Sequence, residues 1–90
     1  MKIQNSELNI YEIESFHQKI LKEIQTAKRS FTLNFDNVEK IDLSNIQLII
    51  SVKKYCDENN IKLNISNIKT KQIKNMFKMF DLHKLLGVEL

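Results

Sequence analysis

Ser44 is the residue whose type and position best suit chemistry in this chain. It stands before an apolar stretch and is followed three residues later by Gln47, which is the pattern of a capping box. The pattern predicts a helix over residues 44–59 with Ser44 as its N-cap. A phosphate on this hydroxyl would lie at the positive end of the helix dipole, and the neighbouring Asp42 would add like-charge repulsion. The spacing therefore fits two roles, a structural cap and a phosphorylation site that switches a binding surface.

The other reactive side chains do not suggest a catalytic or metal site. We expect the single cysteine, Cys56, to be a small buried residue on the same helix, because no base lies near it to activate the thiol. His17 and His83 are too far apart in the sequence to give a zinc-ligand spacing. Gly87 is the only glycine, so the chain has no glycine-rich loop of the kind that binds phosphates. We therefore predict a non-enzymatic protein without metal or cofactor.

Charge is distributed unevenly along the 90 residues. The formal net charge is +3, and residues 1–68 carry nine basic and nine acidic side chains. The excess comes from residues 69–90, where five lysines stand against Asp81 and Glu89. The presence of a single arginine argues against nucleic-acid binding. An AT-rich genome would produce the same bias towards lysine, so we interpret these lysines as solvated surface, with docking to an acidic partner as the alternative.

The chain has the size and hydropathy of one small cytoplasmic domain. Ninety residues are enough for one hydrophobic core, so we predict a single domain over residues 1–90. No apolar run approaches the ~20 residues that span a bilayer, and no hydrophobic stretch follows Lys2. We therefore expect a cytoplasmic location and no membrane insertion.

Apolar periodicity predicts most of the secondary structure. Apolar residues at three- and four-residue steps indicate a helix over about residues 10–28, with Asn9 and Glu12 as its capping box. Strict alternation of apolar and polar residues indicates strands over residues 31–35 and 61–65. Each strand has one apolar face, so we expect helices mainly on one side of the sheet.

The two ends of the chain are predicted from shorter patterns. Thr70 can cap a last main helix that ends at Asp81. We expect its buried stripe to consist of four apolar residues: Ile73, Met76, Phe77 and Phe80. An apolar tail then packs back on the domain or on a partner: Leu82, Leu85, Leu86 and Val88. Residues 1–8 are interpreted as a short edge strand.

The order of strand, helix and strand around residues 31–65 defines the fold class. This order is typical of a βαβ unit, whose two strands are parallel and whose crossover is right-handed. The sequence therefore predicts an α/β protein with a small mixed sheet, a parallel βαβ unit and helices packed mainly on one face.

This order of elements, together with four segments, resembles the STAS domain, a family that includes the bacterial anti-sigma-factor antagonists. The segments cover nearly the whole chain: residues 6–12, 31–36, 38–50 and 79–88. The central motif of the family, Asp-Ser/Thr-Ser/Ala-Gly, lies between a strand and a helix, and its match here is Asp42-Leu43-Ser44-Asn45. Leu43 stands where the family has its first hydroxyl, and Asn45 stands where it has glycine.

The resemblance implies a signalling protein that regulates transcription by binding an anti-sigma factor or a related serine kinase. It also implies that the phosphorylated residue is Ser44, the one before the motif glycine position. The implied partner contacts surround this residue: Asp42, Leu43, Ser44, Asn45 and Gln47. In this interpretation phosphorylation releases the partner.

A second branch of the family gives a different expectation. The apolar run over residues 46–50 is similar to that of small STAS subunits that sit on the cytoplasmic ATPase of lipid-transport ABC complexes. Such a subunit binds its partner constitutively and needs no phosphorylated serine. Most family members have a further strand before the segment that matches residues 3–8. We therefore expect this chain to expose a different sheet edge, or to cover that edge by forming a homodimer.

Overall fold

The structure is a computed structural model, and it describes residues 1–87. In chain order the elements are β1 (Glu7–Leu8), α1 (Ile13–Ile24), β2 (Ser30–Asn34), β3 (Lys40–Ile41), α2 (Leu43–Glu58), β4 (Lys62–Ser66), α3 (Lys71–Met79) and α4 (Leu82–Leu85). Small parallel ladders and four helices confirm the predicted α/β fold class. Within the described residues, no helix is long and apolar enough to cross a membrane.

The predicted parallel pairing around α2 is confirmed. Strands β2 and β4 run parallel and in register from Ser30–Lys62 to Asn34–Ser66, with α2 in the connection between them. Phe31 and Leu33 of β2 are buried, whereas Thr32 between them is only half-buried. The alternation that predicted this strand therefore corresponds to one core-facing side.

The N-terminal segment contains a short edge strand, β1, as predicted. Lys2 forms a parallel bridge with Asn34 at the end of β2, and β1 pairs in parallel with β3 further along the same stretch of chain. Among the described residues β1 pairs with no other strand. Ile3 and Leu8 are each 1% exposed, because both belong to the hydrophobic core.

One hydrophobic cluster joins the sheet to the helices. Each of the four helices contributes buried side chains to it, among them Phe16, Ile46, Phe77 and Leu82. The ring of Phe35, just after β2, meets the ring of Phe77 edge to face, with centroids 5.9 Å apart. Strand β2 and helix α3 therefore meet in the centre of the core.

Helix α1 is shorter than predicted at both ends. The Asn9 side chain does not cap it; its Oδ1 accepts from the Tyr11 amide at 2.9 Å, which folds residues 9–12 into a separate turn. Glu12 then occupies the N-cap position without a side-chain bond. At the other end the helix stops at Ile24, because the following amides bond in short turns.

The predictions for the last helices are mostly confirmed. The Thr70 hydroxyl accepts from the Ile73 amide, as a cap should, and Phe77 is fully buried. Phe80 is 39% exposed, so its placement in the buried stripe is wrong. The reason is that Phe80 is the C-cap, and Asp81 turns the chain with φ +55 before α4 begins. The prediction for Val88 lies outside the described residues.

Candidate functional site

Asp42, and not Ser44, caps helix α2. Asp42 has an extended backbone, with φ −105 and ψ 174, and its Oδ1 accepts from the Asn45 amide at 3.1 Å. The helix begins at Leu43, so Ser44 is its second residue and lies half-buried in the first turn. The prediction of Ser44 as N-cap is therefore wrong. The physical reason is that the chain leaves β3 extended and turns at Asp42, which brings the carboxylate to the amides first.

The position of Ser44 still suits an anion. The first-turn amides of a helix have no partners within the helix, and here the Asp42 carboxylate satisfies the one at Asn45. A phosphate on the second residue would lie close to the positive end of the helix dipole. Ser44 also lines an open groove.

Asn45 lies beneath the surface. Its side chain is 0% exposed, and its Nδ2 donates to the Asn9 carbonyl at 3.0 Å and to the Asp42 carboxylate at 2.9 Å. Its Oδ1 is buried and has no hydrogen-bond partner among the described residues. Asn45 was predicted to contact the partner, but in the free protein its side chain is buried and bonds to residues that lie nearer the surface.

The bond from Asn45 fixes the turn over residues 9–12 against α2. This turn carries two exposed apolar side chains, Ile10 at 60% and Tyr11 at 91% exposure. Leu43 on the first turn of α2 is 46% exposed. Three exposed apolar side chains therefore lie on two segments that one hydrogen bond joins, and we define Ile10, Tyr11 and Leu43 as the apolar patch.

A groove between α1 and α2 continues from Ser44. It has a volume of about 420 Å³, and its lining includes Glu14 and His17 from α1 and Gln47 from α2. A narrower, mainly apolar groove of about 150 Å³ adjoins it and shares the residues His17, Leu48 and Ser51. The two grooves together form one channel along the helix pair.

The two segments that form this region carry acidic side chains. Residues 8–18 contain Glu12 and Glu14 and no lysine or arginine, and residues 41–52 contain Asp42 and no lysine or arginine. The Glu12 carboxylate accepts from the Asn5 amide group at 3.1 Å. These segments therefore differ in charge from the chain as a whole, whose net charge is +3.

Strand β3 leads directly into α2, and side chains at the start of α3 bind its backbone. The Gln72 amide group binds both backbone groups of Ile41: its Oε1 accepts from the amide at 3.0 Å, and its Nε2 donates to the carbonyl at 2.9 Å. The Thr70 hydroxyl donates to the Glu39 carbonyl at 2.9 Å. These side chains take the place of a neighbouring strand, so the chain enters Asp42 in a fixed direction.

Cys56 and the two histidines do not form a reactive group with Ser44. Cys56 is fully buried on α2, and burial raises the pKa of its thiol, with Asp57 adding to the shift. His17 lines the groove, whereas His83 lies on α4. Within residues 1–87 no three His, Cys, Asp or Glu side chains are arranged to hold a metal ion.

Sequence reasoning missed the turn over residues 9–12. Ile10 fits the helical period of the apolar residues that follow it, so the predicted helix begins there and includes Tyr11. The available signal was Asn9, whose side chain stabilises a turn as readily as a helix start.

The fold and this geometry agree with a comparison against known families. No curated protein and no solved structure matches the chain at the significance threshold. A family model, described as the STAS domain, matches residues 4–90. Since this match covers essentially the whole chain, the chain belongs to the STAS domain family.

Proposed function

We propose that this chain is a protein-binding module whose docking surface is the apolar patch, the first turn of α2 and the adjoining groove. STAS domains are generally non-enzymatic and mediate protein–protein interactions. The observation that carries the proposal is that Tyr11 and Leu43 are both exposed, on two segments that the hydrogen bond from Asn45 to the Asn9 carbonyl joins. Exposed aromatic and aliphatic groups beside a groove are typical of interaction sites.

We also propose that phosphorylation of Ser44 releases the partner. A phosphate adds nearly two negative charges next to Asp42 and Glu14, at the edge of the apolar patch. The helix tolerates this group, because the free first-turn amides favour an anion. A partner that covers Ser44 would have to remove water from the phosphate. This desolvation costs free energy and weakens the complex, whereas the fold is unchanged.

The proposed partner is an anti-sigma factor or a related serine kinase in a bacterial cytoplasm. The support is the match between the family motif and residues 42–45, at the point where β3 turns into α2. In this role the chain regulates transcription by competing for the partner, and phosphorylation ends the competition.

The second candidate function is a constitutive subunit of a larger assembly, such as a lipid-transport ABC complex. Leu43 and Ile50 favour it, because they stand seven residues apart on one side of α2 and are 46% and 38% exposed. An apolar contact along this side would hold without any modification of Ser44.

The first experiment tests the switch directly. The purified chain is incubated with its cognate kinase and ATP, and the phosphate is located by mass spectrometry. A phosphate on Ser44 is the expected result. If the kinase modifies other residues and leaves Ser44 unmodified, the switch is excluded and the docking surface remains.

A second experiment separates the two candidate functions. A switch predicts that Ser44→Ala retains the partner and Ser44→Asp loses it, whereas a constitutive subunit retains the partner with both variants. Ser15→Asp is the matched control, because Ser15 is an exposed serine in the first turn of α1. Equal loss of the partner with Ser15→Asp would mean that added charge alone, and not its position, disrupts the complex.

A further inference from the structure

Two exposed segments that are distant in sequence meet through one buried side chain. Asn9 and Asn45 are 36 residues apart, and the Asn45 Nδ2 donates to the Asn9 carbonyl at 3.0 Å. Ile10 and Tyr11 lie directly after Asn9, and Leu43 lies two residues before Asn45. This bond therefore joins the segment that carries Ile10 and Tyr11 to the helix turn that carries Leu43.

Asn45 is well suited to fix that placement. Its second donor hydrogen goes to the Asp42 carboxylate at 2.9 Å, and the same carboxylate caps the helix through the Asn45 amide. The Asn9 carbonyl also accepts from the Glu12 amide at 3.0 Å, which closes the turn. One side chain thus ties the helix cap to the turn, and neither end can move independently.

The surroundings of the patch define what can bind it. Glu12, Glu14 and Asp42 lie beside it in sequence, and the basic residue nearest in sequence, Lys40, stands opposite Glu7 in the pairing of β1 with β3. An apolar centre with an acidic border is complementary to an apolar group bordered by lysine or arginine. The same border repels anionic lipids and nucleic acids, so a basic peptide is favoured over both as the occupant.

We propose that Asn45 is a positioning residue that assembles the apolar patch, and that the patch binds a protein segment in which apolar side chains are flanked by basic ones. This inference rests on the proposed docking function and adds the chemical class of the partner. Tyr11 is its main anchor, because it is 91% exposed in the free protein and offers the largest apolar surface of the three.

The test uses a displayed library of random 12-residue peptides, selected on the purified chain. We expect the selected peptides to combine apolar residues with lysine or arginine. Tyr11→Ser and Leu43→Ser should each weaken their binding about tenfold or more, which is the size of effect typical of an interface anchor. Met79→Ser is the matched control, because Met79 is 70% exposed on α3, outside the patch, and its loss should leave binding unchanged.

The positioning role needs a readout that a change in stability alone would not move. Asn45→Ala should weaken the same peptides about fivefold at a temperature where the variant is folded. In its amide NMR spectrum the signals of Tyr11 and Leu43 should shift, and those of Leu33 in the core should stay in place. Asn75→Ala, on the exposed side of α3, should change neither binding nor these signals.

Four results would overturn the inference. They are selection of acidic peptides, binding that survives both patch variants, equal loss with Met79→Ser, and a selection that enriches no sequence. The proposed switch fails separately: peptides that depend on Tyr11 but bind Ser44→Asp as tightly as the native chain would keep the patch and exclude the switch. If Asn45→Ala leaves both binding and the Tyr11 signal unchanged, the positioning role is excluded.

Discussion

Replacing Asn45 by alanine tests how the start of α2 is held together. The variant loses a hydrogen bond to the Asn9 carbonyl, worth about 1 kcal/mol, and one to the charged Asp42 carboxylate, worth about 1.5 kcal/mol. The Asn9 carbonyl still accepts from the Glu12 amide, and the Asp42 carboxylate still accepts from the backbone amide of residue 45. Neither acceptor is therefore left unpaired. Alanine is better than asparagine in a helix by about 0.6 kcal/mol. The free energy of unfolding should therefore fall by about 2 kcal/mol.

This loss is large enough to measure in a domain of this size. Urea unfolding followed by far-UV circular dichroism should show a lower midpoint with an unchanged slope. In a thermal scan, Tm should fall by about 10 °C. The control is Asn75→Ala on α3, which changes the same side chain at an exposed position and should stabilise slightly through helix propensity. If Asn45→Ala is as stable as Asn75→Ala, the two hydrogen bonds contribute nothing and the reasoning is refuted.

Three further changes have expected outcomes. Thr70→Ala should cost about 1 kcal/mol in urea unfolding, because it removes both the cap of α3 and the bond to the Glu39 carbonyl. Cys56 should react with iodoacetamide much more slowly in the native chain than in urea, because burial excludes the reagent and raises the pKa of the thiol. A hydrogen bond from Lys69 holds the pKa of Asp36 below its usual range. The stability that this interaction adds to the folded state is therefore fully present above the pKa that Asp36 has in the unfolded chain. It is lost as the pH falls through the lowered pKa of Asp36 in the folded chain. Asp36→Asn should therefore make the urea midpoint less sensitive to acid.

Each of these outcomes has a control. Thr26→Ala, near the end of α1, removes a threonine whose hydroxyl donates to the preceding turn, and its cost should be smaller. If it equals that of Thr70→Ala, the contact between α3 and β3 adds nothing. Native Cys56 alkylated at the unfolded rate would contradict its burial. Lys69→Ala, which removes the donor to Asp36, should reduce the acid sensitivity in the same way, and an unchanged acid sensitivity would contradict the assigned cause.

Strict alternation made β2 and β4 predictable from sequence. Each strand has one face in the core, so a period of two appears directly in the residues. The helical period and the Thr70 cap predicted α3 in the same way, because the spacing of its buried residues and its cap are both found within residues 70–79. The STAS resemblance then joined these local elements into one topology.

The start of α2 was harder to predict because two capping patterns overlap. Asp42 and Ser44 are both good N-cap residues, and each is followed three residues later by a polar side chain. The contact that decides between them is not local, since Gln72 holds the backbone of Ile41 and so fixes where the chain turns. Sequence spacing around the cap does not contain that information.

The parallel pairing of residues 1–8 was also beyond local patterns. The segment contains only Ile3 and Leu8 as buried residues, which resembles a weak edge strand. Its neighbours, β2 and β3, are distant in sequence and pair with different ends of it. Only this tertiary pairing shows that both residues have to be apolar.

Site-specific photo-crosslinking tests the central claim most directly. A photoreactive phenylalanine derivative replaces Tyr11 in one variant and Met79, which is also exposed, in another, and both are irradiated in cells that contain the partners of the chain. The proposed docking surface predicts a covalent adduct with one defined protein from position 11 and none from position 79. Adducts from position 79 alone, or the same adducts from both positions, would contradict it.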